Sequence, residues 1–174
     1  MNLETPRLFL RPVSLNDAED LFAARSDEIA MRYWDWPPAH SVEEIAAVIR
    51  EHFDEIDRGE TLWWVVARTP RGPAIGECDL SAIAPVHRRA EVGFLFRRQV
   101  WGQGFAQEAM ERVRRYAFDD LKLERLWARV HAGNDASTRL LTRLGFEPEG
   151  TLRGHILRDG ARRDCLLYGL NRAP

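Results

Sequence analysis

The sequence predicts a single α/β domain, residues 1–174, built around one central sheet flanked by helices. Helical and strand patterns alternate along the chain with only short punctuation between them. Three strand patterns follow one another between positions 62 and 96, which a plain doubly wound parallel sheet does not do. No repeat or low-complexity tract interrupts them, and the length falls within the ~100–200 residues usual for one domain.

Each element has a local cause. Leu8, Phe9, Leu10 and Arg11 read as a first strand. Positions 14 to 24 follow as a helix, with Ser14 or Asn16 as cap and Leu21 and Phe22 on its apolar face. Positions 31 to 40 are loop-like, rich in aromatics (Tyr33, Trp34, Trp36) and broken by Pro37 and Pro38. Ser41 to Glu44 is a capping box, after which Ile45, Val48, Ile49 and Phe53 recur at helical spacing until Gly59. Strands are expected over 62–68, 74–80 and 89–96, the first two joined by a Pro-Arg-Gly-Pro turn at 70–73. A helix over 104–116 carries Phe105, Ala109, Val113 and Tyr116 on one stripe. A strand at 125–131 and a short helix at 136–144, closed by Gly145, come next. Strands at 146–156 and 162–170 flank a turn containing Asp159 and Gly160. The predicted order is β-α-α-β-β-β-α-β-α-β-β. Trp63, Trp64 and Trp127 lie in strands and are expected in the core.

Composition narrows the function classes. A hydrophobic fraction of 45% and a charged fraction of 30% describe an ordinary globular protein. Lys and Arg number 25 against 27 Asp and Glu, a formal charge of −2 that argues against a nucleic-acid or anionic-lipid partner. No apolar run reaches the ~18 residues that span a bilayer, and no basic-then-apolar leader is expected. Cys78 and Cys165 lack partner spacing, so two buried thiols in a reducing cytoplasm are expected rather than a disulfide or a zinc site. The five histidines (His40, His52, His87, His131 and His155) show no ligand spacing, and no metal is expected.

The stretch most informative about chemistry is Gln99-Val100-Trp101-Gly102-Gln103-Gly104-Phe105-Ala106. A strand ends near Phe96, a short loop carries two glycines, and an amphipathic helix starts at once. Such glycines let the backbone approach a bulky anion, while free N–H groups and the helix dipole favour its phosphates. Most Gly-x-Gly turns are structural, and neither the dinucleotide nor the P-loop fingerprint is present.

The spacing of Gln99, Gly102 and Gly104 resembles the coenzyme A pyrophosphate loop of the GNAT superfamily of acyl-CoA N-acyltransferases. Other segments match in the same order: Leu3 to Arg11, Glu91-Val92-Gly93-Phe94, Trp101 to Ala109, and Asn134-Asp135-Ala136-Ser137 through Gly145-Phe146 to Gly150. They are most similar to its ribosomal-protein N-terminal acetyltransferase branch, and the resemblance covers nearly the whole chain. It implies a mixed, mostly antiparallel sheet that splays after its central strand, with the pantetheine arm of acetyl-CoA lying in the gap. Main-chain groups of Phe94, Leu95, Phe96 and Arg97 would then pair with pantetheine. Amides of Gly102, Gln103, Gly104, Phe105 and Ala106 would hold the pyrophosphate. Arg97 and Arg98 are either further phosphate partners or solvated surface charges.

The same resemblance assigns Asn134 to the coenzyme arm, beside its local reading as a helix cap. It makes Ser137 a candidate acid for the departing thiolate. Many members carry a tyrosine seven residues after the asparagine; here that position is Leu141, and Tyr168 does not fit the motif. For the base, strand alternation puts Val92, Phe94 and Phe96 on one face and Glu91 on the other with Gly93. Glu91 is the first candidate; Glu77 and Asp79 are the reserve, or bind a cationic acceptor. Trp34 and Trp36 sit in the loop that overhangs the acceptor cleft in this family; they would cover an apolar side chain or stack on an amine, or else pack onto the sheet edge. The expected activity is acetyl transfer to a primary amine, a protein N-terminus or a small molecule, by direct attack in a ternary complex. The alternative is a non-catalytic acyl-CoA-binding module. A homodimer is allowed by the resemblance alone.

Overall fold

The structure, a computed structural model, describes residues 1–172. The chain enters through a two-residue strand, β1 (Leu3–Glu4), and turns at Thr5 into β2 (Phe9–Pro12). Thr5 Oγ1 accepts from the Leu8 N–H at 2.9 Å and closes that turn. The sequence reading contains only the second of these strands, because two residues are too few to display a period. A single 3-10 turn (Leu15–Asp17) precedes α1 (Ala18–Arg25). Its first turn is set by the Asp17 carboxylate, which accepts from the Ser14 N–H and hydroxyl at 2.8 Å each.

α2 (Val42–Asp57) is capped by Ser41, whose hydroxyl accepts from the Glu44 N–H at 3.2 Å. The reciprocal half of the expected capping box is displaced by one residue: the Glu44 carboxylate accepts from His40, not Ser41. An antiparallel meander follows, β3 (Leu62–Ala67), β4 (Ala74–Ala84) and β5 (Arg89–Phe96). α3 (Phe105–Arg115) runs on into a wider π-turn over Tyr116–Asp120, beyond the helix end read from sequence. β6 (Arg125–His131), α4 (Asp135–Arg143), β7 (Glu147–Arg158) and β8 (Ala161–Asn171) complete the described chain. At the β7–β8 turn Asp159 and Gly160 both take positive φ, +52° and +74°, the left-handed pair that a two-residue hairpin needs.

The eight strands lie in the order β1-β2-β3-β4-β5-β6-β8-β7 and are antiparallel except for β5 with β6. Those two pair only through Arg89, Ala90 and Glu91 with Arg125, Leu126 and Trp127. Beyond that point they part. The sheet is therefore mixed, mostly antiparallel and splayed.

Alternation builds a layer on each face. Trp64, Val66, Leu80, Val92 and Phe96 pack with Phe105, Met110 and Val113 of α3 and Leu141 of α4. Trp63 and Val65 face the other way and pack with Leu21 of α1 and Ile45 and Ile49 of α2. Trp127 departs from expectation: it is half-buried, on the face of β6 shared with Arg125 and Arg129, outside both clusters. Both cysteines are buried and free. No helix of the described residues is long and apolar enough to cross a membrane.

Candidate active site

Where β5 and β6 part, β5 presents an unpaired main-chain edge. The Arg97 N–H donates to the Ile75 carbonyl at 3.0 Å, which fixes the alternation along this strand. Residues two apart share an edge in an antiparallel pair, so Leu95 and Gly93 also turn their main chain toward β4. Phe94 and Phe96 turn theirs into the gap. The Phe96 carbonyl accepts from Trp101 Nε1 at 2.8 Å. The Phe94 N–H and C=O and the Phe96 N–H are left for an extended ligand. Leu95 and Arg97, expected beside them, hold β4 instead, and the Leu95 side chain packs with Met31.

The phosphate-loop candidate lies at the end of that edge. Gly102 and Gly104 have φ of +74° and +79°, and Gly104 occupies the N-cap of α3. A side chain is strained in that conformation, which is why glycine stands at both positions. The N–H groups of Gln103, Gly104, Phe105 and Ala106 have no backbone acceptor among the described residues. Unbonded N–H groups at a helix start favour an anion. Gln103 Nε2 donates to the Gln99 carbonyl at 3.1 Å and Arg7 Nη1 to the Gln103 carbonyl at 3.1 Å, which braces the loop. Arg97 and Arg98 are not phosphate partners here: they pair with Asp20 at 2.9 Å and Asp27 at 3.0 Å. The cations at this end are Arg7 and Arg68, 4.6 and 5.6 Å from the Phe105 ring centre. No local pattern marks them, since they arrive from the first turn and the end of β3.

A cleft of about 750 Å³ opens from the gap, lined by Phe94, Asn134 and Ser137. Its floor carries Asp79 of β4, Glu91 of β5, and Arg129 and His131 of β6. Arg129 Nε donates to Glu91 Oε1 at 2.9 Å, and its Nη1 lies 3.7 Å from Asp35. His131 Nε2 and Asp35 Oδ1 share a hydrogen bond of 2.8 Å; the other ring nitrogen has no partner among the described residues. Asp35 and His131 escaped the sequence reading because they meet only in the fold. Burial pushes the Glu91 carboxyl above its ordinary range, while the Arg129 charge pulls it back. Burial pushes Asp79 further, up to about 7; a hydrogen bond from Ser81 and the Arg25 charge oppose this, and Glu77 and Glu91 add to it.

Glu77 does not line the cleft. It is 2% exposed and accepts from Arg25 Nε and Nη2, at 2.8 and 3.0 Å, and from Trp63 Nε1, at 2.8 Å. It is a structural counter-ion rather than an acceptor contact. Arg25 stacks beside Trp34 and Trp63, 5.6 and 5.0 Å from their ring centres. Trp34 thus covers that ion pair as well as lining the cleft, whereas Trp36 is 56% exposed at its mouth. Arg158 Nη1 donates to the carbonyls of Met31 and Trp34 and holds this loop in place from the β7–β8 hairpin.

At the opposite wall Asn134 Oδ1 accepts from the Ser137 N–H at 3.2 Å, capping α4. Leu141 is fully buried, and Tyr168 is buried in the core rather than in the cleft. A different phenol is present. Tyr33 lines the cleft, its hydroxyl 3.8 Å from where a side chain at Gly133 would begin.

Residues 7–147 match the family model described as the acetyltransferase (GNAT) domain. The chain belongs to the GNAT acetyltransferase family. It is 34% identical over 168 residues to the uncharacterized N-acetyltransferase YoaA of Bacillus subtilis (strain 168), covering 97% of this chain and 95% of YoaA. It is 27% identical over 157 residues to the spermidine N(1)-acetyltransferase of Escherichia coli (strain K12), 90% of this chain and 82% of that one. Among solved structures, RimL, the ribosomal L7/L12 α-N-protein acetyltransferase in complex with coenzyme A, superposes with a TM-score of 0.89 at 18% identity over 98% of each chain. The spermidine N-acetyltransferase of Vibrio cholerae in complex with CoA and spermine does so at 0.83 and 24%, over 96% of each. Those two likenesses are of fold. The GNAT protein is an N-acetyltransferase, and acetyl-CoA is its co-substrate. The open edge at Phe94 and Phe96 suits the pantetheine amides, and the free N–H groups at the α3 start suit the pyrophosphate.

Two outcomes test these assignments. Glu77→Gln leaves Arg25 buried without its counter-charge and lowers stability by about 3–5 kcal/mol, measured by urea unfolding. An acceptor-binding Glu77 would instead change substrate affinity and leave the unfolding midpoint in place. Asp79 has a folded pKa above its unfolded value, so its protonated form favours the fold below about pH 4 and that stability is lost as pH rises through 7. The melting temperature of Asp79→Asn, relative to wild type, therefore rises between pH 4 and pH 8; an unchanged difference contradicts the raised carboxyl.

Proposed function

We propose that this enzyme acetylates a positively charged primary amine by direct attack on acetyl-CoA within a ternary complex. One observation carries the acceptor class: three carboxyls, Asp35, Asp79 and Glu91, line the cleft against one guanidinium, Arg129, because the other lining guanidinium, Arg25, is taken up by Glu77. The floor lacks positive charge, and an incoming ammonium supplies it. Glu44, Glu51 and Glu55 continue the negative lining along α2. Trp36 at the mouth offers a face to the cation or its methylenes.

In this reading Glu91, fixed by Arg129, orients the ammonium, with Asp35 opposite. Phe94 and Phe96 align the pantetheine arm, and Gln99 braces the Gly102–Ala106 turn beneath the pyrophosphate. Asn134 bonds the coenzyme arm through its free amide. Ser137 hydrogen-bonds the departing sulfur, a modest aid because a thiolate of pKa near 8.5 leaves tolerably alone. Neither cysteine lines the cleft, in keeping with direct attack rather than an acyl-enzyme. A small amine is favoured over a ribosomal-protein N-terminus by the carboxylate wall, and the similarity to spermidine acetyltransferases supports it.

The test is release of CoA thiol from acetyl-CoA against a panel of diamines, amino-acid esters, antibiotics and N-terminal peptides. Di- and polycationic amines are expected to give the highest kcat/KM, by at least tenfold over neutral-tailed amines. Preference for a peptide N-terminus would redirect the acceptor to the ribosomal-protein class. In parallel, acetyl-CoA is expected to raise the melting temperature and ATP at equal concentration is not.

A further inference from the structure

We propose that Asp79, rather than Glu91, accepts the proton that the acceptor ammonium loses before attack. This rests on the reading of the cleft as an amine acetylation site, and it adds a catalytic residue to it.

The geometry separates the two carboxylates. Glu91 is already the partner of Arg129, with its Oε1 receiving the guanidinium Nε at 2.9 Å. Burial raises the Glu91 carboxyl, but the Arg129 cation opposes proton uptake there. Asp79 has no ion-pair partner among the described residues, because the nearby Arg25 is bound at both oxygens by Glu77. Asp79 also lies in the right place. It stands opposite Gly93 in the β4–β5 register, and its Oδ1 is 2.2 Å from where a side chain on Gly93 would begin. The carboxyl therefore leans across the bare backbone of Gly93, one residue before Phe94, whose main chain faces the gap. Glycine at 93 is what admits it.

The groups facing Asp79 come from every side. Glu77 and Ser81 are on its own strand, Glu91 is on β5, and Arg25 is on α1. Arg129 and His131 of β6, Asp35 of the overhanging loop and His52 of α2 line the same cleft. Among these, burial dominates and brings the carboxyl to about 7, where a general base works best at neutral pH.

The step balances as follows. Asp79 carboxylate takes one proton from R–NH3⁺ and becomes the acid, leaving R–NH2 with its lone pair. That pair forms the C–N bond to the acetyl carbon, the C–S bond breaks, and its electrons leave on sulfur. The second nitrogen proton passes to the thiolate, giving the amide and CoA thiol. Asp79 then returns its proton to water.

The experiment is the pH profile of kcat/KM for wild type, Asp79→Asn and Glu91→Gln with acetyl-CoA and the best amine of the panel, beside acetyl-CoA affinity by calorimetry. Wild type is expected to gain activity as pH rises through about 7. Asp79→Asn is expected to lose that limb and ~10²–10⁴-fold in kcat/KM at pH 7, recovering part of it at high pH, where more amine is neutral. Its acetyl-CoA affinity should stay within twofold, which a merely structural role would not preserve. Glu91→Gln is expected to raise the acceptor KM and keep the limb. The proposal is overturned if Asp79→Asn keeps the wild-type rate and profile, or if Glu91→Gln alone loses the limb. Wild type that binds acetyl-CoA yet acetylates no amine brings down the site reading itself, and this proposal with it.

Discussion

Three residue pairs hold β5 to β6, and the whole site depends on the pairing stopping there. Were the parallel ladder to continue, Phe94 and Phe96 would bond the neighbouring strand and leave no main-chain edge for a ligand. The break also opens the cleft, because β6 diverges carrying Arg129 and His131 away from β5 while β8 follows it. An unpaired edge in mid-sheet costs hydrogen bonds that a water or a ligand has to replace. The pantetheine arm, with two amides, has the chemistry to replace them.

Charge organises the floor of that opening. Arg25 and Glu77 form a closed, buried pair, roofed by Trp34 and bonded to Trp63. The pair consumes one carboxylate and one guanidinium and fixes the geometry of β3, β4 and α1 around the cleft. What remains, Asp35, Asp79 and Glu91 against Arg129, is unbalanced. The loop bearing Asp35 is pinned by its main chain to Arg158 and by its carboxylate to His131 and Arg129. The C-terminal hairpin thus helps shape the acceptor side although it contributes little to the floor.

Much of this was legible in the chain. Period and turn chemistry located all four α-helices and every strand except Leu3–Glu4, whose two residues carry no pattern; the short 3-10 turns, such as Ala30–Tyr33 in the stretch read as loop, have too few residues to show one. The glycines at 102 and 104 announced a helix start able to meet an anion, and alternation put Glu91 on the face of its strand opposite Val92 and Phe94. The rest needed the third dimension. Nothing local distinguishes Glu77 from Asp79, two residues apart on one face; the difference is that Arg25, fifty-two positions upstream, reaches the first and not the second. Arg97 and Arg98 read as either phosphate partners or solvated surface charges, and instead they pair with Asp20 and Asp27. Likewise Asp35 and His131 are 96 positions apart and meet only because the end of β6 and the overhanging loop converge. Local signals fix elements and main-chain devices; ion-pair partners are set by the packing of distant elements.

The central claim is that coenzyme A binds along the broken edge of β5 and at the start of α3. Amide hydrogen exchange resolved by residue, with and without coenzyme A, tests it most directly. The N–H groups of Phe94 and Phe96 and those from Gln103 to Ala106 are expected to slow together on binding. Those of Leu95 and Arg97, already bonded to β4, change little. Protection that spared Phe94 and Phe96, or that fell instead on the β7–β8 hairpin, would contradict it.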